Sequence, residues 1–588
     1  MTATVSHPAS SPGSSRQSRP APVAEPVPAD EAEAVGVVDG GEPVGIPSLV
    51  GVLKGIGSAL AQPGPVTRGA GRLVRDWATI ARGSDEHRPS PKDKRFADPA
   101  WSMNPVFRRL GQGYLALGTQ LDRLVDEYEK TAEDWHDVER ARFAVGAVTS
   151  ALAPTNSLPS NPAALKRAFD TAGASLVRGA RQFAHDVRHN GGMPTQTDRT
   201  AFTVGVDLAV TPGDVIDRDE VAELIEYRPS TSTVRQRPLL IIPPPIGRYY
   251  FLDVRPGRSF VEYAASRGLR VFMISWRNPT AENADWDIDT YARRIVSAID
   301  VVKDVADSED VNTLGFCAGG ILMSTVLSHL AVQGDHSVHS ASYGVTLLDF
   351  GTRAPIGAFS APRALELARA NSARTGVITA RSMGAVFSWM RPDDLVFNYV
   401  VNNWLMGERP PVFDILAWNA DGTNLPAALH SQFLDIFRSN TLATGGLEVL
   451  GTPVDLSRIS VPVFVTGALN DHLTPWTGCY RTTQLMSGPS TYVLSNAGHI
   501  ASLVNPPGNP KASYSIGGEP GPDPEHWRQT AEKRTGTWWE AWADWVLDRS
   551  GDERAATTAS GNADHPPLEP APGSYVLDRI PPRPAVPA

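Results

Sequence analysis

Cys317 stands in the stretch Val311-Asn312-Thr313-Leu314-Gly315-Phe316-Cys317-Ala318-Gly319-Gly320, with a glycine two residues away on each side. The residues before it favour a β-strand. Those after it, Ile321-Leu322-Met323-Ser324-Thr325-Val326-Leu327, read as a buried helix. Strand, tight turn and helix are the setting of a nucleophile elbow: the turn strains the nucleophile's backbone, and side chains at the flanking glycines would collide with strand and helix. A thiol at that point is favoured as a thiolate by the N–H groups that open the helix. The competing reading is an inert buried cysteine on a glycine-rich turn.

Two downstream stretches decide between these readings. Val463-Phe464-Val465-Thr466-Gly467 reads as a strand running into Asp471 and His472, and Tyr492-Val493-Leu494-Ser495 as a strand running into Asn496-Ala497-Gly498-His499. Nucleophile, acid, histidine is the chain order of an α/β-hydrolase triad. Each of the three falls just past the C-terminal end of a strand, where open parallel sheets gather ligands. His499 is then the general base, and Asp471 holds its tautomer and orientation. Oxyanion donors are expected from the Ala318 N–H and from the loop Pro243-Pro244-Pro245-Ile246-Gly247. Prolines carry no N–H, which leaves Ile246 or Gly247, with Ile246 the first choice. His472 is a further candidate for substrate contact, although a core or surface role is the commoner fate of a histidine.

A thiolate exchanges an acyl group with another thioester at little energetic cost, which suits an acyl-CoA donor. Passing that group on to an alcohol makes an ester, provided the pocket excludes water.

The rest of the chain must position these groups. Its 588 residues allow two or three domains. The net charge of −10 comes without a basic block and gives no hint of nucleic acid. The 2 cysteines cannot form a disulfide framework, so a reducing compartment is expected. Apolar runs are too short to span a bilayer, and the N-terminus lacks a basic-then-apolar signal pattern. A cytoplasmic location is the expectation.

Residues 1–42 have the composition of a disordered tail. Over 46–61, apolar residues recur near helical spacing and suggest a short amphipathic helix. Residues 43–200 read as a helical N-terminal domain. One helix is expected from Pro162 to Asp186, with Asn161 as its cap. Continuous apolar strands alternating with helices then predict an α/β-hydrolase fold over 201–550, its parallel sheet covered on both faces. An insertion at about 355–445, rich in Trp, Met, Phe and Asn, has the place and character of a cap over the site. Residues 551–588 are polar and proline-rich and are expected to form a second disordered tail.

At these residues the chain resembles the single-subunit polyhydroxyalkanoate synthases, the poly(3-hydroxyalkanoate) polymerases. The matching motifs are Phe96-Ala97-Asp98-Pro99-Ala100-Trp101, Ala153-Pro154-Thr155-Asn156, Pro243 through Tyr250 with Leu252-Asp253, and Ile274-Ser275-Trp276-Arg277-Asn278-Pro279. Beyond the elbow come Trp418-Asn419 with Asp421 and Thr423, Asp471-His472-Leu473-Thr474-Pro475-Trp476, and Gly498-His499-Ile500 with Val504-Asn505-Pro506-Pro507. The stretch Asn505 to Ala512 is more similar to the medium-chain branch. The loop Pro243 to Arg248 departs from the family, which commonly has Trp, Ile, Asn and Lys around those places.

The resemblance implies an acyl-Cys317 intermediate carrying a growing polyester made from 3-hydroxyacyl-CoA, with CoA as leaving group and neither cofactor nor metal. It implies a homodimer on polymer granules in the cytoplasm. Within its motifs Asp253 and Trp418 join His472 as candidate substrate contacts. A thioesterase or intracellular depolymerase on the same fold is the alternative; it would release free 3-hydroxy acid. A non-catalytic granule-coat protein is a third reading, opposed by the intact Cys, Asp and His.

Overall fold

The computed structural model describes residues 63–84 and 86–578. The tail expected over 1–42 and the short helix over 46–61 lie outside the described residues. The N-terminal region is helical. Its main helices are α1 (Pro63–Ala81), α2 (Pro105–Glu129), α3 (Trp135–Ala151), α4 (Pro162–Asp170) and α5 (Ala174–His189). Asn104, Asp134 and Asn161 cap α2, α3 and α4 by accepting backbone N–H groups that a helix start leaves without partners. The single helix expected from Pro162 is two helices. Ala172 and Gly173 turn left-handed, with φ of 48° and 84°, and break the helical path between α4 and α5.

The main sheet begins with β1 (Gly213–Arg218), β2 (Ala222–Tyr227), β3 (Leu239–Ile242) and β4 (Val271–Trp276). Helix α6 (Ile288–Ala306) follows, then β5 (Val311–Phe316), α7 (Ala318–Gln333) and β6 (Val338–Gly344). After the cap come β7 (Val463–Ala468), β8 (Ser490–Ser495), β9 (Ser513–Ile516), β10 (Glu532–Thr535), α8 (Trp538–Leu547) and β11 (Glu569–Pro570). Among the described residues the spatial order is β10-β9-β8-β7-β6-β5-β3-β4-β2-β1-β11. The centre, β4 to β8, is parallel as expected. The edges are antiparallel: β2, β1 and β11 on one side, β9 and β10 on the other. The edge strand β10 is exposed throughout (Glu-Lys-Arg-Thr), and these charged residues discourage pairing with another chain.

Each face of the sheet carries its own core. Helices α6 and α7 cover one with Ile295, Val302, Leu322 and Val326. Helix α8 covers the other with Trp538, Trp539 and Trp542, which surround Phe260. An α/β-hydrolase fold results, with the strand ends that matter all at one edge of the parallel centre.

The insertion between β6 and β7 contains helices at Pro362–Thr375, Ala380–Met390 and Ala427–Ser439, and two π-helical turns at Asp393–Phe397 and Val400–Leu405. The N-terminal region holds these π turns. Arg95 pairs with Asp393 at 2.6 Å, Gln196 donates to the Leu395 carbonyl at 2.6 Å, and Trp404 Nε1 donates to Asp186 at 2.8 Å. Trp404 thus faces α5 and Phe183, whereas Trp389 and Phe397 meet inside the cap.

The tail expected over 551–588 is corrected for its described part. Glu553–Ala555 pairs with Thr233–Arg235, β11 extends the sheet, and Val576 is buried. Glu223, wholly buried on β2, accepts from the Ser574 N–H, the Ser574 hydroxyl and the Tyr575 N–H. Polar composition hid a segment that docks through hydrogen bonds and ion pairs rather than through a hydrophobic stripe.

Candidate active site

Cys317 joins the end of β5 to the start of α7 with φ 48° and ψ −123°. A non-glycine residue held there stores roughly 1–3 kcal/mol of strain. The neighbours over-determine the turn: the Cys317 N–H donates to the Gly344 carbonyl at 3.0 Å, and its carbonyl accepts the Gly320 N–H at 3.0 Å. The glycines are required by close approach. A Cβ on Gly315 would lie 2.7 Å from the Gly320 Cα, and one on Gly319 would lie 2.7 Å from the Pro243 carbonyl carbon. The result presents a partly exposed, free thiol at the sheet edge.

Asp471 and His499 lie on loops that follow the neighbouring strands β7 and β8. Those loops are tied together: the Leu469 N–H donates to the Ser495 carbonyl at 2.8 Å and the Asn470 N–H to the Ala497 carbonyl at 3.1 Å. His499 Nδ1 meets Asp471 Oδ2 at 2.6 Å, and both side chains are buried. The N–H groups of Leu473 and Thr474 donate to Asp471 Oδ1 at 2.8 and 2.9 Å. Burial would raise the Asp471 carboxyl, but the His499 imidazole and these donors hold it below the usual carboxylate range. Burial likewise works against a charged His499. The Asp471 carboxylate reverses this, a side-chain hydrogen bond with Cys317 adds to it, and the imidazole is pushed up to about 10. The histidine and the acid named from sequence therefore meet, Cys317 lies near enough to act on the imidazole, and with Nδ1 engaged by Asp471 it is Nε2 that remains available.

One member of the site went unrecognised in sequence. Thr474 Oγ1 donates to Asp471 Oδ2 at 2.7 Å and lies 3.2 Å from His499 Nδ1. Its signal was the three-residue spacing from Asp471, which lets a carboxylate and a hydroxyl share one tight turn. The second cysteine, Cys479, donates to the Thr474 carbonyl at 3.4 Å, and burial pushes its thiol well up. It supports the turn and has no access to substrate.

The oxyanion-side loop is held from three directions. Trp276 Nε1 donates to the Pro243 carbonyl at 2.8 Å, the Thr423 hydroxyl to Pro245 at 2.7 Å, and Trp418 Nε1 to Arg248 at 2.7 Å. Tyr250 donates to Asp421 at 3.0 Å. The motif Trp418, Asp421 and Thr423 therefore clamps this loop. Ile246 is partly buried within it, and the Ala318 N–H, first in α7, has no acceptor within its helix.

Two expected substrate contacts are placed elsewhere. Asp253 is buried, and its carboxylate accepts from the Thr211 N–H at 3.2 Å, the Thr211 hydroxyl, and the Ser259 hydroxyl at 2.8 Å. Its lone pairs are committed to these scaffold contacts. Trp418 backs the loop, its ring against Gly247 and Phe251. His472 differs: both ring nitrogens are buried without a hydrogen-bond partner. Burial pushes it down to about 4, with Asp471 opposing and Arg391 and His499 assisting. A neutral ring with an unused donor and acceptor beside the triad can take a polar substrate group.

Among the described residues, no helix is long and apolar enough to cross a membrane. Two family models match the chain: the N-terminus of poly-beta-hydroxybutyrate polymerase (PhaC) at residues 92–264, and the alpha/beta hydrolase fold at 252–506. Poly(3-hydroxyalkanoate) polymerase 2 of Ectopseudomonas oleovorans is 44% identical over 85% of this chain and 89% of its own. Polymerase 1 of the same organism is 40% identical over 89% and 93%. The poly(3-hydroxyalkanoate) polymerase subunit PhaC of Cupriavidus necator is 37% identical over 90% and 91%.

Proposed function

This chain belongs to the poly(3-hydroxyalkanoate) polymerase family, and we propose that it works through a Cys317-His499-Asp471 triad and a covalent acyl-cysteine. It polymerises 3-hydroxyacyl-CoA into polyhydroxyalkanoate and releases CoA. The observation that carries the triad is the convergence of a strained cysteine, a buried histidine and its carboxylate at the C-terminal ends of three strands of the parallel centre, β5, β7 and β8.

The steps balance without an outside reactant. The Cys317 thiolate, paired with the His499 imidazolium, attacks the thioester carbonyl, and the oxyanion that develops is met by the Ala318 N–H and an N–H of the Ile246 loop. The carbon–sulfur bond to CoA breaks, and the CoA thiolate takes the imidazolium proton. Neutral His499 then accepts the proton of a 3-hydroxyl group, whose oxygen attacks the acyl-Cys317 thioester; the ester bond forms, the carbon–sulfur bond to Cys317 breaks, and the Cys317 thiolate is restored beside the His499 imidazolium. Asp471 keeps the imidazole oriented through both transfers. His472 contributes a contact to the polar part of the incoming acyl group. The chain's own groups suffice, so no cofactor is assigned.

Large exposed apolar side chains on the N-terminal helices, among them Met103, Val106 and Phe169, support contact with the surface of an apolar polymer granule; we propose that the enzyme acts there as a homodimer in the cytoplasm. The test of function is to supply the purified protein with 3-hydroxyacyl-CoA of several side-chain lengths while following free thiol and product. Polymer with stoichiometric CoA, best with medium-length side chains, is expected. Monomeric 3-hydroxy acid as sole product would overturn the reading.

A further inference from the structure

The loop that carries Ile246 ends in Arg248, a residue no step above uses. Its side chain is 1% exposed, so a permanent cation is buried two residues from the proposed oxyanion donor. Its partners come from the far end of the chain: Nη1 donates to the Tyr575 carbonyl at 2.8 Å, and Nη2 donates to the Asp578 carbonyl. Asp421, the nearest carboxylate, is 3.9 Å from Nε. Arg248's own carbonyl accepts from Trp418 at 2.7 Å.

The strap that supplies those carbonyls is itself anchored. Glu223 takes both N–H groups at 574 and 575, the Tyr575 hydroxyl donates to the Asp219 carbonyl at 2.6 Å, and the Arg277 guanidinium lies over the Tyr575 ring at 5.3 Å. Arg277 belongs to the segment after β4, whose Trp276 holds the other end of the same loop at Pro243. Both ends of the oxyanion-side loop thus connect to residues 574–578.

We propose that Arg248 is a positioning residue whose guanidinium fastens the oxyanion-side loop to the C-terminal strap, making residues 569–578 part of the apparatus that places the Ile246 donor. This rests on the triad and oxyanion reading above. The physical reason is that a buried guanidinium must keep its acceptors. With the strap removed, Arg248 turns toward water or Asp421 and draws the loop with it. The planar fork reaches two carbonyls at once; a lysine at this position reaches one. A donor displaced by a fraction of an ångström weakens stabilisation of the oxyanion while leaving ground-state binding intact.

The test compares the full-length protein with Arg248→Lys, with a deletion of 567–588, and with the two combined. CoA release is followed alongside alkylation of Cys317 by iodoacetamide, a reaction that develops no oxyanion. Each change is expected to lower kcat about ten- to a hundredfold with KM and alkylation rate near wild type. The combination should be no worse than the deletion alone, because both cut one connection. Should the deletion fail to fold, Ser574→Pro removes the anchoring N–H and hydroxyl of residue 574 from the strap and should give the same split. Wild-type kcat without the strap, multiplying effects, or a parallel fall in alkylation would overturn the proposal. Full CoA release by Cys317→Ala would instead overturn the reading beneath it.

Discussion

The hydroxyl of Thr474 lies 2.7 Å from Oδ2 of Asp471, on the same oxygen that meets the imidazole at 2.6 Å. The acid of the triad is therefore held by a side chain as well as by two backbone N–H groups. Thr474→Val keeps the shape and removes the donor. It should lower kcat about tenfold, consistent with losing about 1–2 kcal/mol from a hydrogen bond to a charged group. Thr474→Ser should restore most of that loss. Equal activity in the Val and Ser variants would show that the hydroxyl only fills space.

Asp471→Asn separates the two halves of the reaction. The amide leaves Cys317 in place but removes the charge that orients and raises His499. Acyl-enzyme should still form from 3-hydroxyacyl-CoA, while steady-state CoA release falls about 10²- to 10⁴-fold because the 3-hydroxyl is no longer deprotonated efficiently. Rapid-quench measurement of the first turnover against the steady state checks this. Loss of the acyl-enzyme itself would contradict the division of roles.

The same pair makes stability depend on pH with a definite sign. His499 is raised to about 10 in the folded chain from an ordinary value near 6.5. Its contribution is complete below about 6.5 and is lost as pH rises through about 10. Asp471 is depressed, so its contribution is present above its ordinary value and is lost as pH falls through the lowered one. The gap in Tm between wild type and Asp471→Asn should be widest near pH 5–6 and should close steadily toward pH 10. A gap that widens with rising pH would contradict the assignment.

The N-terminal region is coupled to the cap by close packing. Gly179 on α5 faces the Trp404 backbone, and a Cβ there would stand 2.7 Å from the Trp404 carbonyl carbon. Gly179→Ala should destabilise the protein by about 1–3 kcal/mol, the usual cost of overpacking. Hydrogen exchange in 393–406 should rise with it. Unchanged exchange there would place the strain elsewhere.

The elbow, the acid and the histidine were legible because each depends on short-range chemistry: glycines at fixed offsets and polar groups directly after apolar strands. The parallel centre was legible for the same reason, since a strand buried on both faces is apolar along its length. What could not be read was carried by contacts distant in the chain. Asp253 and Trp418 looked like substrate contacts because their motifs are polar or aromatic near the site. Their partners Thr211, Ser259 and Arg248 show that they brace the walls. The strap at 569–578 has no hydrophobic period because Glu223, Arg248 and Arg277 hold it. The break between α4 and α5 rests on two left-handed residues, of which Gly173 alone carried a signal.

The central claim is that the growing acyl chain is carried on the sulfur of Cys317. The direct test is mass analysis of peptides from protein quenched during turnover with 3-hydroxyacyl-CoA. A thioester-linked hydroxyacyl mass on the peptide containing Cys317, absent from Cys317→Ala and labile to hydroxylamine, is the expected result. Polymer formation at wild-type rate by Cys317→Ala, or acyl groups found on another residue alone, would contradict the account.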